Sequence, residues 1–266
     1  MSGGQSARSS PGFHKLMLQL FSLLRRRPRA VLLFSGGLDS SLLLALGREA
    51  LGPGLTALTL IGPHTAPGEV AAAWQLTQKY QVRHFLGTFD PLSLPDFREN
   101  TLKRCYVCKQ TMAAQAQKVA AQLEAESIWD GTNLDDLQDF RPGLQAAREA
   151  GVESPLLSAG LGKEDIRELS RKLGLPADKP SQSCLATRFP YNTTLSREDL
   201  ARVGRAEAWL RARGLGHVRL RVRGRQARLE LAAAEWPVFW GRGLRRPFLG
   251  YLTSLGFEGL ELAVPG

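Results

Sequence analysis

The sequence is poor in cysteine and has no long apolar run, and each absence excludes a class of protein. Three cysteines in 266 residues are too few for a disulfide framework, which favours a reducing compartment and a cytoplasmic protein. No apolar stretch approaches the roughly 20 residues of a transmembrane helix, so we expect no membrane partner. A structural zinc site is also excluded, because only one pair of cysteines is closely spaced and no histidine lies near it.

Positive charge is concentrated at the two ends of the chain. The net charge is +10, residues 1–30 carry six basic and no acidic residues, and residues 190–266 carry 13 basic and seven acidic ones. Such ends suit a phosphorylated small molecule or a nucleic acid, although solvated arginine faces would give the same pattern. Residues 1–13 are rich in Ser and Gly and are predicted to be a disordered leader. The apolar segment that follows predicts a helix packed beside the first strand, with an organellar transit peptide as the alternative.

One short motif organises the N-terminal half of the chain. An apolar run that suits a buried strand leads into two adjacent glycines, and a second apolar segment then suits a helix. The motif is Ser35-Gly36-Gly37-Leu38-Asp39-Ser40-Ser41. Adjacent glycines permit a close approach of the backbone to a ligand, and successive N–H groups at a helix start attract anions. The motif therefore predicts a phosphate-binding loop, with an ordinary Gly-Gly turn as the alternative. It is not a Walker loop, because no Gly-Lys-Ser/Thr follows.

Alternating strands and helices predict the fold. Strands are expected at 31–34, 55–61, 82–86 and 127–129, and helices at 69–80, 111–126 and 163–173. This alternation favours an α/β fold with a doubly wound parallel sheet, in which ligands bind at the carboxyl ends of the strands. After residue 190, a predicted helix at 200–213 and a hairpin at 218–231 indicate a small α+β domain. We therefore expect a main domain at 14–190 and a smaller one at 191–266.

The cysteines leave several chemistries open. Cys105 and Cys108 form a Cys-x-x-Cys with basic neighbours, and Cys184 lies far along the chain. Three thiolates can bind a 4Fe–4S cluster by three corners and leave one iron open to a substrate. Alternatively, the pair is redox-active and Cys184 is a nucleophile, or all three are buried core residues. If the thiols are reactive, the neighbouring arginine and lysine side chains are expected to lower their pKa values.

Carboxylates and arginines complete the set of candidate site residues. An acidic cluster directly after the strand at 127–129 could reach a phosphate-bound Mg²⁺, or could simply favour a helix start. The cluster consists of Asp130, Asp135, Asp136 and Asp139.

The predicted hairpin contains three alternating arginines, Arg219, Arg221 and Arg223, which therefore share one face of the hairpin, and such a face suits the binding of phosphate. A solvated arginine face is the equally weighted alternative.

In combination and in order, these motifs resemble the LarE family, the ATP-dependent sulfur transferases of nickel-pincer nucleotide cofactor synthesis. The resemblance rests on the phosphate-binding motif and on Arg104-Cys105-Tyr106-Val107-Cys108-Lys109, Asp130-Gly131-Thr132-Asn133-Leu134-Asp135-Asp136 and Cys184-Leu185-Ala186-Thr187-Arg188-Phe189-Pro190-Tyr191. It implies a PP-loop ATP pyrophosphatase (adenine nucleotide alpha hydrolase-like) domain, a small C-terminal domain and a homo-oligomer. Asn192 stands where the family usually has glycine, and asparagine is expected to adopt the same turn.

The resemblance also implies a reaction and its site residues. Members of the family use ATP to adenylate a carboxylate of a pyridinium-3,5-dicarboxylate mononucleotide and convert it to a thiocarboxylate. By this resemblance ATP and Mg²⁺ would be bound by Ser35, Gly36, Gly37, Asp39, Ser40, Ser41, Asn133 and Asp136. The substrate would be bound by Arg188, Arg219 and Arg221, and Cys184, Asp39 and Arg188 would be catalytic.

The same resemblance implies two sources of sulfur. In members with one cysteine, the residue that matches Cys184 gives up its own sulfur. In members with three, the residues that match Cys105, Cys108 and Cys184 are assigned to a 4Fe–4S cluster that carries an extra sulfide. This chain has all three, which favours the cluster.

Two functions of other kinds remain as alternatives. A PP-loop tRNA-thiolating enzyme would use the same adenylation step, and the basic C-terminal part supports it. Nucleic acid is nevertheless not the expected partner, because the sequence contains no recognised RNA-binding module. A non-catalytic nucleotide-binding relative is the second alternative, supported only by the absence of the family's Gly/Ser-rich tail from the C-terminal end.

Overall fold

The computed structural model describes residues 11–138, 141–177 and 183–263. Most of the predicted disordered leader, residues 1–10, and Asp139 of the acidic cluster lie outside these ranges. The helices are α1 (Pro11–Leu24), α2 (Leu38–Leu51), α3 (Glu69–Lys79), α4 (Pro95–Arg98), α5 (Arg104–Gln122), α6 (Pro142–Glu149), α7 (Pro155–Ser158), α8 (Lys163–Lys172), α9 (Arg197–Arg211), α10 (Trp236–Gly241) and α11 (Arg245–Ser254). The strands are β1 (Ala30–Leu33), β2 (Leu55–Ile61), β3 (Arg83–Thr88), β4 (Ser127–Trp129), β5 (Val218–Arg223), β6 (Gln226–Leu231) and β7 (Gly259–Leu262).

A parallel sheet of order β3-β2-β1-β4 forms the centre of the N-terminal part. Every strand pair in it is parallel, with Leu33 of β1 opposite Leu58 of β2 and Leu32 opposite Trp129 of β4. β1, β2 and β4 are almost wholly buried, as parallel strands covered on both faces must be. The predicted α/β parallel sheet is confirmed, and the motif at 35–41 follows its central strand directly.

Helices cover both faces of this sheet, which makes it doubly wound. Successive side chains of a strand point to opposite faces. Leu32 of β1 accordingly packs in one core with apolar residues of α1, α2 and α8, whereas Val31 packs in another with alanines of α5 and α6. α1 is a helix, as predicted, with Leu20 and Leu24 fully buried beside α2. Across the described residues no helix is long and apolar enough to span a membrane.

The C-terminal part contains a second, three-stranded sheet of order β5-β6-β7. β5 and β6 form the predicted antiparallel hairpin, and β7 adds to β6 in parallel. The core under this sheet also includes Leu185 and Ala186, which precede the predicted domain boundary at residue 190. As a result the segment that carries Cys184 is packed against the C-terminal core. The division of the chain into two domains near 190 stays a prediction.

Two regions differ from the sequence prediction. α5 begins at Arg104 and not at residue 111, so the Cys-x-x-Cys lies in the first turns of a helix and not in a loop. Tertiary bonds hold these turns: the Tyr106 hydroxyl donates to Glu149 at 2.5 Å, and Lys109 pairs with Asp130 at 2.9 Å. Beyond the predicted hairpin, the segment after residue 236 folds as α10 and α11 with Gly243 at φ +60° between them.

Candidate active site

The phosphate-binding motif forms a tight turn between β1 and α2. Gly36 adopts φ +70°, and a Cβ there would lie 3.2 Å from the backbone of Ala73 in α3, so this position needs glycine. Gly37 precedes α2 without a capping side chain, so the first N–H groups of the helix have no side-chain acceptor at that end. The hydroxyls of Ser35 and Ser40 lie 3.1 Å apart across the turn. The loop therefore presents backbone donors and hydroxyls to an anion at the carboxyl end of β1.

Asp39, in the first turn of α2, has the one carboxylate of the motif and is only partly satisfied. Its Oδ2 accepts hydrogen bonds from Lys163 Nζ at 2.7 Å and from Asn133 Nδ2 at 3.3 Å. Its Oδ1 is buried and has no hydrogen-bond partner in the described structure. Burial raises the pKa of Asp39 above its ordinary value, although Lys163 opposes the shift. A buried carboxylate oxygen that lacks a partner fits a bound Mg²⁺, which commonly takes one or two carboxylates together with substrate phosphates.

The other carboxylates predicted near Mg²⁺ are engaged in holding the loop after β4. Asp136 accepts from the backbone N–H of Asn133 at 3.1 Å and pairs with Arg141 at 2.7 Å. Asp130 pairs with Lys109, and Asp135 accepts from the N–H of Lys163 at 2.6 Å. A Cβ on Gly131 would lie 2.9 Å from Ser40 N, so this loop packs closely on the start of α2. Asn133 reaches the phosphate-binding motif directly, and a direct role for Asp136 in nucleotide binding stays a prediction.

The three cysteines come together from two distant parts of the chain. Cys105 and Cys108 are three residues apart in α5 and so share a face. Cys184 precedes a short 3₁₀ turn, Leu185–Arg188, whose first N–H donates to the carbonyl of His64 at 3.0 Å. Cys108 and Cys184 both pack against the apolar core under the second sheet. Cys105 is exposed, whereas Cys108 and Cys184 are only partly accessible.

The expected direction of the thiol pKa shifts was wrong. Burial raises the pKa of Cys108 to about 12 and that of Cys184 to about 12, and the neighbouring thiols add to the rise. Lys109 lowers the pKa of Cys108, and Arg104 and Arg188 lower that of Cys184, but burial outweighs them. Cys108 and Cys184 are therefore neutral thiols at pH 7 until something displaces their protons.

The predicted iron–sulfur cluster is not confirmed by the arrangement of these side chains. Among the described ranges, no group of three or more His, Cys, Asp or Glu side chains is arranged to hold a metal ion. The donor type is nevertheless that of a three-cornered cluster site, because three free cysteines are present and one of them is exposed. The thiols match the group in donor type, and their role as cluster ligands stays a prediction.

Arg188 is buried and bound within the protein. Its Nε and Nη2 donate to the two oxygens of Glu207 at 2.7 and 3.1 Å, and both side chains are at most 1% exposed. Its Nη1 donates to the hydroxyls of Ser183 and Thr187. Arg188 thus fixes the two ends of the turn that carries Cys184, and its predicted role toward substrate stays a prediction.

Glu207, which sequence reasoning missed, organises this region from α9. Besides Arg188 it accepts from Arg211 Nη2 at 2.7 Å and from the backbone N–H of Leu220 at 2.9 Å. Its signal in the sequence is a glutamate on the apolar face of a helix, between buried Val203 and Leu210. A fully buried carboxylate with several donors ties the Cys184 turn to the second sheet.

The arginines of β5 lie on one face of the hairpin, as the alternation predicts. Arg221 donates to the carbonyl of Thr187 at 2.7 Å and pairs with Glu230 at 3.0 Å, so it also holds the Cys184 turn. The guanidinium of Arg219 has no hydrogen-bond or ion-pair partner within the described residues. Burial lowers the pKa of Arg219, and nearby Arg188 and Arg221 lower it further. A half-buried cation near Arg188 and Arg221, whose effect Glu230 and Glu207 offset only in part, is suited to bind an anion.

The turn after Arg188 confirms one expectation about a single residue. Asn192 adopts φ +60°, the left-handed conformation in which asparagine replaces glycine at the least cost. Its N–H donates to the carbonyl of Asn100 at 3.1 Å, and Asn100 Nδ2 donates back to the carbonyl of Pro190 at 2.7 Å. These bonds join the Cys184 segment to the residues just before α5.

Comparison with solved structures identifies the fold. The chain is similar to the NMN synthetase of Francisella tularensis, with a TM-score of 0.53 and 19% identity over 66% of this chain and 76% of that one. It is also similar to the NH₃-dependent NAD synthetase of Campylobacter jejuni, with a TM-score of 0.51 and 18% identity over 62% and 75% of the two chains. At these identities the likeness shows the PP-loop fold alone. No protein-family model matches the chain.

Sequence relatives identify the family within that fold. An uncharacterised protein of Synechocystis sp. is 40% identical over 204 residues, which is 76% of each chain. The pyridinium-3,5-bisthiocarboxylic acid mononucleotide synthase of Lactiplantibacillus plantarum is 34% identical over 252 residues, or 93% of this chain and 90% of that protein. With this identity over nearly its full length, and with the PP-loop fold, the chain belongs to the LarE family of ATP-dependent PP-loop enzymes.

Proposed function

We propose that this protein replaces a carboxylate oxygen of a pyridinium-3,5-dicarboxylate mononucleotide with sulfur, at the expense of ATP. The observation that carries the proposal is the joint presence of a phosphate-binding loop and a three-thiol group, in a chain 34% identical to a thiocarboxylate-forming enzyme. The loop is suited to activate an oxygen, and the thiols are suited to supply the sulfur that replaces it.

The loop at 35–41 would carry out the first half of the reaction, the adenylation of the substrate carboxylate. The N–H groups at the start of α2 and the hydroxyls of Ser35 and Ser40 would hold the phosphates of ATP. Asp39 would hold Mg²⁺, which would neutralise charge on the departing pyrophosphate. A substrate carboxylate oxygen then attacks the α-phosphorus, pyrophosphate leaves, and the carboxylate becomes an acyl-adenylate. Arg219, whose guanidinium has no partner in the described structure, would bind the phosphate of the mononucleotide.

The three cysteines would carry out the second half of the reaction, the transfer of sulfur. A sulfur nucleophile attacks the carbonyl carbon of the acyl-adenylate, AMP leaves with the former carboxylate oxygen, and a thiocarboxylate remains. We propose that Cys105, Cys108 and Cys184 hold a 4Fe–4S cluster, which when bound would supply a sulfide. The contribution of the chain is to keep the three thiols close together and to anchor the Cys184 turn through Arg188 and Arg221. The alternative source is the sulfur of Cys184 itself.

The proposal is tested by anaerobic turnover with ATP, Mg²⁺ and the dicarboxylate mononucleotide. We expect AMP and pyrophosphate in equal amounts, both dependent on the mononucleotide, because adenylation needs an acceptor carboxylate. The same assay with bulk tRNA in place of the mononucleotide is the control for the thiolating alternative. Release of pyrophosphate with tRNA only, weakened by added salt, would contradict the proposal. No release with either acceptor would favour the non-catalytic relative.

A further inference from the structure

Lys163 lies at the nucleotide site although it is 124 positions from Asp39 in sequence. It is the first residue of α8, and the predicted pattern gave it no role beyond starting that helix. Its position is fixed by its backbone N–H, which donates to Asp135 Oδ2 at 2.6 Å. From there its ammonium donates to Asp39 Oδ2 at 2.7 Å. The side chain remains 30% exposed, so the ammonium is held at the mouth of the site and not sealed in the core.

Lys163 occupies the position at which a divalent cation would compete for the same carboxylate. Asp39 Oδ2 is taken by Lys163 and Asn133, while Oδ1 is buried without a partner. An ammonium on Oδ2 and a Mg²⁺ on Oδ1 of the same carboxylate would repel each other, so each weakens the binding of the other. Lys163 therefore lowers the affinity of Asp39 for a divalent cation.

Neighbouring cations are committed to other carboxylates. Lys109 pairs with Asp130, and Arg141 pairs with Asp136. Lys163 differs from them because its partner belongs to the phosphate-binding motif itself. A lysine is also the side chain best suited to move, since it places a compact charge on a flexible four-carbon stem.

We propose that Lys163 is a mobile counter-ion of the nucleotide site, paired with Asp39 when the site is empty and transferred to the phosphates when ATP and Mg²⁺ bind. This inference rests on the nucleotide-binding half of the proposed function and not on the sulfur source. In the empty enzyme the pair neutralises a half-buried carboxylate and keeps divalent cations from binding alone. In the loaded enzyme the cation takes over Asp39, and the ammonium faces the pyrophosphate that is to leave.

The test is binding and not turnover, with Mn²⁺ as the probe of the Asp39 carboxylate. Lys163→Met should bind Mn²⁺ about tenfold more tightly than wild type without nucleotide, because the competing ammonium is gone. The same variant should bind ATP in the presence of Mg²⁺ about tenfold more weakly, because a phosphate partner is gone. Free Mn²⁺ is followed by its electron paramagnetic resonance signal, and ATP binding is followed by calorimetry. Lys163→Arg, which keeps the positive charge, should give Mn²⁺ and ATP affinities between those of wild type and those of Lys163→Met.

Two controls separate this role from a structural one. Lys172→Met removes a lysine of the same helix that pairs with Glu168 at 2.7 Å, and it should change neither affinity. Adding Asp39→Asn to Lys163→Met should cancel the gain in Mn²⁺ affinity. If Lys163→Met leaves Mn²⁺ affinity unchanged, Lys163 does not compete at Asp39 and the proposal fails. If Mn²⁺ affinity rises but ATP affinity does not fall, the transfer to phosphate is refuted. Neither result depends on whether the protein inserts sulfur.

Discussion

Replacing Cys184 with alanine should reduce thiocarboxylate formation by a factor on the order of a thousand or more, because it removes the residue at the point of sulfur delivery. Formation of pyrophosphate should persist, since the phosphate-binding loop lies on β1 and α2 and shares no direct bond with the Cys184 turn in the described structure. AMP should then be released as water hydrolyses the acyl-adenylate back to the carboxylate. The measurement is the ratio of thiocarboxylate to AMP formed with the mononucleotide. A ratio near one in wild type should fall toward zero in the variant.

Cys105→Ala is the variant that distinguishes the two sulfur sources. If the three thiols act together on a cluster, Cys105→Ala should lose sulfur transfer as completely as Cys184→Ala. If Cys184 gives up its own sulfur, Cys105→Ala should keep one turnover per chain. An unchanged product-to-AMP ratio in Cys184→Ala would remove this residue from the reaction altogether.

Replacing Glu207 with alanine should destabilise the protein by about 3–5 kcal/mol, the usual cost of leaving a buried charge without its partner. Glu207 and Arg188 are at most 1% exposed, and Arg211 and the N–H of Leu220 share the same carboxylate. Its loss therefore leaves several buried donors unsatisfied at once. In a chain of this size the melting temperature should fall by about 10 °C, as measured by thermal unfolding with circular dichroism.

Glu230→Ala is the matched control for the charge. Glu230 also pairs with an arginine, Arg221, but both side chains are more than a third exposed, and pairs exposed to this degree contribute about 1 kcal/mol or less. Arg188→Met combined with Glu207→Leu should recover part of the lost stability, because the buried charge of Arg188 is gone, while Arg211 and the N–H of Leu220 still lack their acceptor. It should not recover sulfur transfer, because the turn carrying Cys184 has lost its anchor. Equal losses of melting temperature in Glu207→Ala and Glu230→Ala would contradict the assignment of Glu207 as the organising group.

The parts of the fold that could be predicted from the sequence are those in which local pattern and tertiary environment agree. β2 and β4 occur at the predicted residues, since a buried parallel strand is a short continuous apolar run. The start of α5 could not be predicted, because Cys105-Tyr106-Val107-Cys108 has no strong helical pattern and is held by Glu149 and Asp130 from other elements.

The candidate site likewise contains residues that could be predicted from the sequence and residues that could not. The residues of the phosphate-binding loop are contiguous and could be recognised as a group. Asn133 lies beside them through its hydrogen bond to Asp39, and its role in nucleotide binding stays a prediction. Lys163 and Glu207 could not be assigned, because their partners Asp39 and Arg188 lie 124 and 19 positions away. The predicted direction of the thiol pKa shifts was wrong for a related reason. Neighbours in sequence predict the charge around a thiol, but the depth of its burial is set by the whole fold.

The most direct test of the account is a single anaerobic turnover with one equivalent of mononucleotide, followed by mass spectrometry of the product and of the intact chain and by iron analysis. The account predicts one sulfur in the product for each AMP released, a chain of unchanged mass, and about four irons per chain before turnover. A chain without iron in which Cys184 has lost the elements of H₂S would keep the reaction but replace the cluster with the cysteine itself. AMP released without any sulfur in the mononucleotide would contradict the central claim.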